Sequence, residues 1–334
     1  MREVQPFEKK MEDQEKRRGP HDTYVVVDDG TPSPEQGTGT FFLNRYKKII
    51  PTASFIKPDS IRQALRVNTL RTSHELLLER LDEHGAKAEK IPFLKHGYFV
   101  LAKFSFGATP EYLLGHYYLQ APLSQLACEV LNPKPNSTVL DMCSAPGSKT
   151  TYLASMLTDG GKVIALDSNP DRLSAVRNNV ERLGLSNVVC VKKDARFADD
   201  FGVKFDYILL DAPCSGNFCS EEGWCTKRTI QDIKDNAKVQ RELIKSALNC
   251  LAPGGRLLYS TCSLEPEENE LVIDYALNRD SALQVIPLNL PIGDSGVTTW
   301  EGIAVNPQVA NTKRFWPHKT GMEGFYMALI EKKA

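Results

Sequence analysis

The chain has 334 residues, of which 41% are hydrophobic and 25% charged, and its formal net charge is −1 at pH 7. This is ordinary globular composition, enough for one large or two modest domains. No apolar run approaches the roughly 20 residues needed to cross a bilayer, and residues 1–20 lack the apolar segment of a signal peptide. We therefore expect a cytoplasmic protein with no membrane partner. The net charge neither indicates nor excludes nucleic acid, because basic groups need only face the ligand.

The eight cysteines are too few for a disulfide scaffold, and none forms a C-x-x-C pair. A structural zinc site therefore has little support, and we expect no metal. Cys219 and Cys225, in "CSEEGWC", either form a local disulfide or stay free. Free thiols are the more usual state inside cells.

Three segments differ in composition along the chain. Residues 1–40 are charged, then rich in Gly, Pro, Ser and Thr, which predicts a flexible N-terminal extension. Residues 41–115 contain "FFLNRYKKII" and the amphipathic "SHELLLERLDEHG", with short apolar stretches between and after them, and predict a small α+β domain. Residues 116–334 form the third segment.

The third segment alternates continuous apolar runs with helical patterns. "STVLDMC", "GKVIALD", "NVVCVKKD", "FDYILLDAP" and "GRLLYSTCS" are the predicted strands, and "EGFYMALIEKK" follows as a last one. Apolar strands separated by helices indicate a mostly parallel sheet covered on both faces. We predict an α/β fold: a doubly wound, Rossmann-like domain behind the small α+β domain.

Ligands in such a sheet bind at the carboxyl ends of the strands. Gly147 and Lys149 lie in a short loop before a helix, where free N–H groups suit a polar ligand. Asp167, after the second strand, is placed to hold a ribose diol, and Asp194, after the third, to bond an adenine amine. Neither dinucleotide nor triphosphate glycine motifs occur. The pattern predicts an adenosine-bearing cofactor without a pyrophosphate, which S-adenosylmethionine fits.

Cysteines end two of the strands, Cys214 in "DAPCSG" and Cys262 in "STCS". Either one alone is more often a small buried residue than a nucleophile. Two such thiols beside a methyl-donor site suggest methylation of carbon 5 of cytosine. That reaction needs a thiolate to add to carbon 6, an acid to support nitrogen 3, and a base to remove the carbon-5 proton.

Three motifs in this order, "DMCSAPGSKT", "LLDAPCSG" and "YSTCSLEPEENE", resemble the Nop/Sun family of RNA cytosine-5 methyltransferases. The resemblance runs over roughly residues 41–334 and is greatest to the compact archaeal-type tRNA enzymes. It implies Cys262 as the nucleophile, Cys214 as the group that assists product release, and Asp211 and Lys149 as contacts to the target base. It also implies a set of cofactor-binding residues: Cys143, Ser144, Ala145, Pro146, Gly147, Ser148, Lys149, Asp167, Arg172, Asp194 and Asp211.

The same resemblance implies that the front domain is an RNA-recognition-motif-like platform. Arg66, Asn68, Lys103 and the "RYKK" segment (45–48) are then candidate RNA contacts, with solvated surface charge as the alternative for each. Trp224, in an unusual insertion after "PCSG", either stacks on a base or packs within its loop. The target base must leave its stack to reach both thiols, which favours structured loops in RNA.

Other functions fit the residues less well. A DNA cytosine-5 methyltransferase needs only the Pro-Cys thiol, and a non-catalytic RNA-binding assembly factor needs neither. A nicotinamide-dependent oxidoreductase would need the missing glycine fingerprint. We expect an RNA methyltransferase that uses S-adenosylmethionine, acts on tRNA ahead of ribosomal RNA, and works as a monomer.

Overall fold

The computed structural model describes residues 39–53, 61–158, 160–219 and 221–333. Of the predicted flexible extension, residues 1–40, only Gly39 and Thr40 are described; they begin helix α1 (Gly39–Ile49). The prediction for the rest of that segment lies outside the described residues. Within the described ranges, no helix is both long and apolar enough to cross a membrane.

The front of the chain forms a four-stranded antiparallel sheet in the order β2-β3-β1-β4. The strands are β1 (Ala64–Val67), β2 (Lys87–Lys90), β3 (Gly97–Leu101) and β4 (Tyr117–Leu119). Helix α2 (His74–Glu83) starts at Ser73, whose hydroxyl accepts the Leu76 N–H at 3.1 Å. It buries Leu77 and Leu81 in the core of this unit. A 3₁₀ turn (Phe106–Ala108) and the short helix α3 (Pro110–Leu113) precede β4.

The rest of the chain is built on a nine-stranded sheet. Its strands are β5 (Thr138–Asp141), β6 (Lys162–Asp167), β7 (Val188–Lys192), β8 (Phe205–Asp211), β9 (Leu251–Thr261), β10 (Leu283–Ile286), β11 (Asp294–Ser295), β14 (Lys313–Phe315) and β15 (Phe325–Lys332). A separate hairpin joins β12 (Thr299–Trp300) to β13 (Ile303–Ala304).

The order is β11-β14-β15-β9-β8-β5-β6-β7, with β10 paired to β15. From β9 to β7 all neighbours are parallel, whereas β15 runs antiparallel to β9, and β10, β11 and β14 are also antiparallel. This confirms the predicted α/β, Rossmann-like fold with a mostly parallel sheet.

Helices cover both faces of this sheet. They are α4 (Pro122–Leu131), α5 (Ser148–Met156), α6 (Pro170–Leu183), α7 (Trp224–Lys227), α8 (Ile230–Cys250), α9 (Glu270–Leu277) and α10 (Pro317–Thr320), with 3₁₀ turns at Ala195–Phe201 and Pro307–Asn311. Successive residues of β8 enter different cores: Ile208 packs with α8 and α9, and Leu209 with α4 and α5. Burial on both faces explains why the central strands are continuously apolar.

Arg66 and Asn68 join the front unit to the large sheet, so the prediction that they contact RNA is wrong. Arg66 is 3% exposed; its guanidinium donates to the Thr151 hydroxyl at 3.0 Å and the Ser148 carbonyl at 2.9 Å, and lies over the Tyr152 ring. The Asn68 amide, 6% exposed, donates to the carbonyls of Gly115 (2.8 Å) and Leu183 (3.0 Å). The Arg66 guanidinium and the Asn68 amide therefore donate to carbonyls inside the protein and not to phosphates of RNA.

The "RYKK" segment (45–48) is half buried and half exposed. Arg45 and Tyr46 are buried, which contradicts the prediction of RNA contacts for these two residues, whereas Lys47 and Lys48 are exposed. Lys103 is also exposed. These three lysines stay candidate RNA contacts.

Candidate active site

The two predicted thiols lie side by side at the ends of neighbouring parallel strands. β8 ends at Asp211, β9 ends at Thr261, and their register pairs Asp211 with Ser260. Because each cysteine follows its strand within a few residues, both reach the same edge of the sheet. Cys214 Sγ lies 3.2 Å from Cys262 Sγ, and both are free thiols. One sulfur can therefore pass a proton to the other without any movement of the backbone.

The surroundings of Cys214 favour its protonated form. The hydrogen bond to Cys262, burial and the nearby Glu268 carboxylate raise the pKa of Cys214 well above its usual value. Either sulfur can be the donor of the bond between them, and a protonated Cys214 has a proton to offer.

Asp211 is held by two donors at the end of β8. Lys149 Nζ lies 2.7 Å from Asp211 Oδ2, and the Ser260 hydroxyl donates to Oδ1 at 2.7 Å. Burial lowers the pKa of Lys149, but the Asp211 carboxylate more than offsets this, so the pKa is raised overall. The Lys149 side chain is 10% exposed and that of Asp211 30%, so the carboxylate faces the open side. The pair is a fixed proton source and acceptor next to both thiols.

A buried carboxylate fixes the loop that carries Cys214. Glu268, fully buried, accepts the Ser215 backbone N–H at 2.9 Å and the Ser215 hydroxyl at 2.6 Å. The Gln240 amide donates to Glu268 Oε1 at 3.2 Å and to the Pro213 carbonyl at 2.8 Å. Ser215 is thus bonded to Glu268 directly and Pro213 through Gln240, which limits the movement of the Cys214 sulfur between them.

The insertion after "PCSG" folds against the same loop. Asn217 donates to the carbonyls of Cys262 (2.6 Å) and Gly324 (3.1 Å), which ties the two thiol segments together. Trp224 is 1% exposed, and its indole N–H donates to the Ser215 carbonyl at 2.6 Å. Of the two roles considered for Trp224, packing within the loop is confirmed and stacking on a base is wrong.

A cavity of about 430 Å³ opens beside the thiols at the carboxyl ends of the strands. The predicted site residues that line it are Cys143, Ala145, Asp167, Arg172, Asp194, Asp211, Cys214 and Cys262. Its walls also include Pro213, Val239 and Leu243, so polar groups and an apolar surface share one space. This combination is typical of small-molecule sites.

The other predicted cofactor residues shape the loop instead of lining the cavity. The Ser144 backbone N–H and hydroxyl both donate to the Leu166 carbonyl, at 2.8 and 2.9 Å. Pro146 lies next to Gly147, and Ser148 begins α5. Gly147 has φ +100°, and a Cβ there would lie 3.2 Å from Val176 Cα, so only glycine fits this close approach.

The two acidic residues at strand ends differ in how they are held. Asp167 is 5% exposed; Oδ1 accepts the Asn169 N–H at 2.9 Å, and Arg172 lies 3.6 Å from Oδ2. Asp194 forms an ion pair with Arg196, at 2.7 Å, which lowers the pKa of Asp194. Asp167 keeps lone pairs free for further donors, whereas each oxygen of Asp194 already accepts two bonds from Arg196.

Several residues that hold the site were not among the predicted site residues. They are Glu268, Gln240, Ser260, Asn217 and Arg196. Ser260 and Glu268 lie inside the motif "YSTCSLEPEENE", and Asn217 directly follows "PCSG", so these motifs are the signal that could have found them, whereas Gln240 and Arg196 lie outside the motifs. In the described ranges no group of three or more His, Cys, Asp or Glu residues is arranged to hold a metal ion.

Comparison with known proteins decides the family. The sequence model of the 16S rRNA methyltransferase RsmB/F matches residues 128–331, and that of the N-terminal domain of the 16S rRNA methyltransferase RsmF matches residues 40–122. The chain belongs to the RsmB/F family. The predicted resemblance to Nop/Sun-type RNA cytosine-5 methyltransferases is thereby confirmed.

Curated relatives of this RsmB/F family protein act on different RNAs. The tRNA (cytosine(49)-C(5))-methyltransferase of Pyrococcus abyssi is 34% identical, over 87% of this chain and 95% of its own length. The 28S rRNA (cytosine-C(5))-methyltransferase of Mus musculus is 36% identical over 88% of this chain but only 39% of its own length. The chain thus spans about two fifths of the length of that relative.

Solved structures share the whole architecture. A methyltransferase homolog from Pyrococcus horikoshii has a TM-score of 0.79 and 36% identity, with 89% of this chain and 96% of that chain covered. NSun6 from Pyrococcus horikoshii, solved with SFG, has a TM-score of 0.73 and 27% identity, over 83% of this chain and 93% of that chain. The front unit and the large sheet of this RsmB/F family protein therefore recur together.

Proposed function

We propose that the protein transfers a methyl group from S-adenosylmethionine to carbon 5 of a cytosine in RNA. The observation that carries the proposal is the pair of thiols, 3.2 Å apart, beside the Lys149–Asp211 ion pair. Family membership supports an RNA substrate, since curated relatives are named for cytosine-5 methylation of tRNA and ribosomal RNA.

The first step is addition of Cys262 to the ring. The thiolate forms a bond to carbon 6, and the carbon 5–carbon 6 π electrons shift toward nitrogen 3. Asp211 and Lys149 share a proton that nitrogen 3 takes up as its charge grows, and Ser260 holds Asp211 in place. The product of this step is an enamine whose carbon 5 is nucleophilic.

The last step is elimination. After carbon 5 has gained the methyl group, its proton must leave, and the bond between carbon 6 and Cys262 breaks as the ring double bond returns. Cys214, the nearest sulfur to Cys262, first gives its own proton to water in the cavity that it lines, and the thiolate left behind is a strong base because of its raised pKa. It takes the carbon-5 proton directly or through a water molecule. Nitrogen 3 returns its proton to the Asp211–Lys149 pair as the ring is restored.

The polar and apolar side chains that line the cavity fit the proposed cofactor, S-adenosylmethionine. Asp167 at the end of β6 would accept hydrogen bonds from a ribose diol and Asp194 after β7 one from an adenine amine, while Pro213 and Leu243 supply apolar walls. S-adenosylmethionine bound there would supply a methyl group activated by a sulfonium centre. Asp167, Arg172 and Asp194 would hold it, with Cys143 and Ala145 lining the site, and Ser144, Pro146, Gly147 and Ser148 shaping the loop.

We propose tRNA ahead of ribosomal RNA as the substrate. The Pyrococcus abyssi tRNA enzyme aligns over 95% of its own length, whereas the mouse ribosomal RNA enzyme aligns over 39%. The alignment thus spans nearly all of this tRNA enzyme and less than half of this ribosomal RNA enzyme. A monomer that works in the cytoplasm stays our prediction for its state and location.

The deciding experiment compares the wild type with Cys262→Ala, Cys214→Ala and, as a matched control, Cys190→Ala, whose thiol lies on the edge strand β7. Each protein is incubated with labelled S-adenosylmethionine and unmodified RNA, then run on a denaturing gel. We expect Cys214→Ala to accumulate an RNA-linked protein, Cys262→Ala to form no adduct and transfer no methyl, and Cys190→Ala to behave as wild type. Methylation by Cys262→Ala, with Cys214→Ala inactive and free of adduct, would make Cys214 the nucleophile and overturn the proposal.

The choice of RNA is tested separately. Purified, unmodified tRNA and ribosomal RNA pools are methylated side by side with equal enzyme. We expect incorporation into tRNA. Incorporation into ribosomal RNA alone would reverse the order of the two substrates while leaving the cytosine chemistry in place.

A further inference from the structure

Helix α1 contacts both of the segments that follow the two thiols. It lies more than 150 residues before either cysteine in the chain. Its buried residues Phe42 and Tyr46 share one apolar cluster with Phe218 and Trp224, which follow Cys214, and with Leu264, which follows Cys262. One helix is therefore in contact with both loops of the site.

Arg45 makes the polar contacts between α1 and the Cys262 segment. Its guanidinium donates to Glu265 Oε2 at 2.9 Å and to Glu267 Oε2 at 2.9 Å, and lies 4.9 Å from the centre of the Trp300 ring. Trp300 in turn donates its indole N–H to Glu267 Oε1 at 3.1 Å. Arg45 is 6% exposed, so its loss leaves buried carboxylate oxygens without a donor, which is costly.

The contact to the Cys214 segment runs through an aromatic pair. The Phe42 and Trp224 rings lie 4.6 Å apart, and the Trp224 indole donates to the Ser215 carbonyl at 2.6 Å. Ser215 is the residue after Cys214. A displacement of α1 is thus passed to each thiol through one or two contacts.

The Cys262 segment depends on these bonds because its acidic residues are buried. Glu265 is fully buried, and the Ser263 hydroxyl accepts the Glu265 backbone N–H at 3.1 Å. Burial raises the pKa of Glu265 to about 7 in spite of the neighbouring arginine. Without Arg45, Glu265 either takes up a proton or moves toward water, and the turn after Cys262 moves with it.

We propose that Arg45 is a positioning residue for the reaction: through Glu265 and Glu267 it holds Cys262 at the distance from Cys214 that lets Cys214 take the carbon-5 proton of a ring attached to Cys262. This rests on the proposed function for its catalytic consequence. Its geometric part, the control of the sulfur–sulfur distance by α1, is independent of which RNA or cofactor the protein uses. Arg45 is buried against Glu265 and Glu267 and is not among the residues that line the cavity beside the thiols, so it acts through the loop.

Two variants and a control test the proposal. Arg45→Ala removes the forked donor, and Arg45→Lys keeps a charge but cannot bond both carboxylates in the same geometry. Asn44→Ala, exposed on the same helix, is the matched control. A third variant combines Arg45→Met with Glu265→Gln and so removes both charges of the buried pair. We expect it to fold, and it serves as the test if Arg45→Ala does not fold.

The first measurement does not depend on methylation. Diamide takes two electrons and two protons from Cys214 and Cys262, and mass spectrometry follows the disulfide that forms. We expect the rate of disulfide formation to fall about 10-fold in Arg45→Ala and in the double variant. The rate should fall less in Arg45→Lys and stay unchanged in Asn44→Ala. Each protein is measured below its melting temperature. An unchanged rate in folded Arg45→Ala and double variant would overturn the proposal.

The second measurement separates positioning from binding. In methylation assays we expect kcat of Arg45→Ala to fall about 10- to 100-fold with KM for RNA nearly unchanged. A rise in KM alone would assign Arg45 to RNA binding and overturn the proposal. If the wild type methylates no RNA, the proposed function fails, while the cross-linking rates still decide whether α1 positions the thiols.

Discussion

Lys149 Nζ and Asp211 Oδ2 lie 2.7 Å apart, one on the first turn of α5 and the other on the last residue of β8. The pair joins the loop that lines the cavity to the strand that leads to Cys214. Asp211 lines the same cavity as both thiols, and each residue of the pair can be tested separately as the proposed proton source for nitrogen 3.

We expect Lys149→Met and Asp211→Asn each to lower kcat about 10²- to 10⁴-fold, because the proton for nitrogen 3 loses its source or its orientation. Steady-state methylation assays measure this. The control is Lys319→Ala, which removes an ion pair of 2.8 Å to Asp294 on the surface. A kcat for Lys149→Met within about twofold of wild type would exclude the pair from the chemistry.

Asp141, at the end of β5, gives a pH dependence that can be measured. Burial raises the pKa of Asp141 to about 7, despite a 2.6 Å hydrogen bond from the Thr150 hydroxyl. The unfolded chain ionises this carboxyl near pH 4, whereas the folded protein keeps it protonated up to about pH 7. Its contribution to stability is therefore greatest at low pH and is lost as the pH rises through that window.

We expect Asp141→Asn to remove this loss and to raise the free energy of unfolding at pH 8, relative to wild type, by a few kcal/mol in order of magnitude. Urea titrations at pH 5 and pH 8 measure the change for both proteins. Asp206→Asn, at an exposed position on β8, serves as the control. Equal pH slopes for wild type and Asp141→Asn would contradict the assignment.

Trp224→Phe distinguishes packing from stacking. The change removes the 2.6 Å bond to the Ser215 carbonyl and part of a buried ring, so we expect the free energy of unfolding to fall by about 1–3 kcal/mol. The KM for RNA should not change, because the ring does not reach the surface.

Lys103→Ala should show the opposite pattern to Trp224→Phe, with weaker RNA binding at low salt and unchanged stability.

Arg66→Met tests the junction between the front unit and the large sheet. Loss of the bonds to Ser148 and Thr151 leaves buried acceptors without donors, and we expect a destabilisation of about 2–4 kcal/mol. Limited proteolysis should then cut between the two units at lower protease concentration. Normal stability together with a salt-dependent loss of RNA affinity would instead restore Arg66 as an RNA contact.

Much of this architecture could be predicted because strand ends and short motifs are local features. The apolar runs placed β5, β6, β8 and β9, and the polar residues after them mark one edge of the sheet. The meeting of Cys214 and Cys262 follows from that topology, although 48 residues separate them in sequence.

The side chains that pack between segments were not predictable in the same way. Arg45 and Glu265 are 220 residues apart in the chain, and nothing local distinguishes a buried arginine from a solvated one. Arg66, in a strand only four residues long, is polar in sequence but buried because a second unit covers it. Burial of this kind is decided by tertiary contacts, which composition and spacing do not record.

The order of strands in the large sheet affects how the protein folds while the ribosome is making it. β15 lies between β14 and β9, and it is made after every other strand of that sheet. Until residues 325–332 have left the ribosome, the open edge of β9 has no partner, and neither Cys262 nor the turn after it has its final neighbours. The nascent chain therefore carries an unpaired apolar edge beside an unfinished active site, and a chaperone that binds such edges would protect it at this stage.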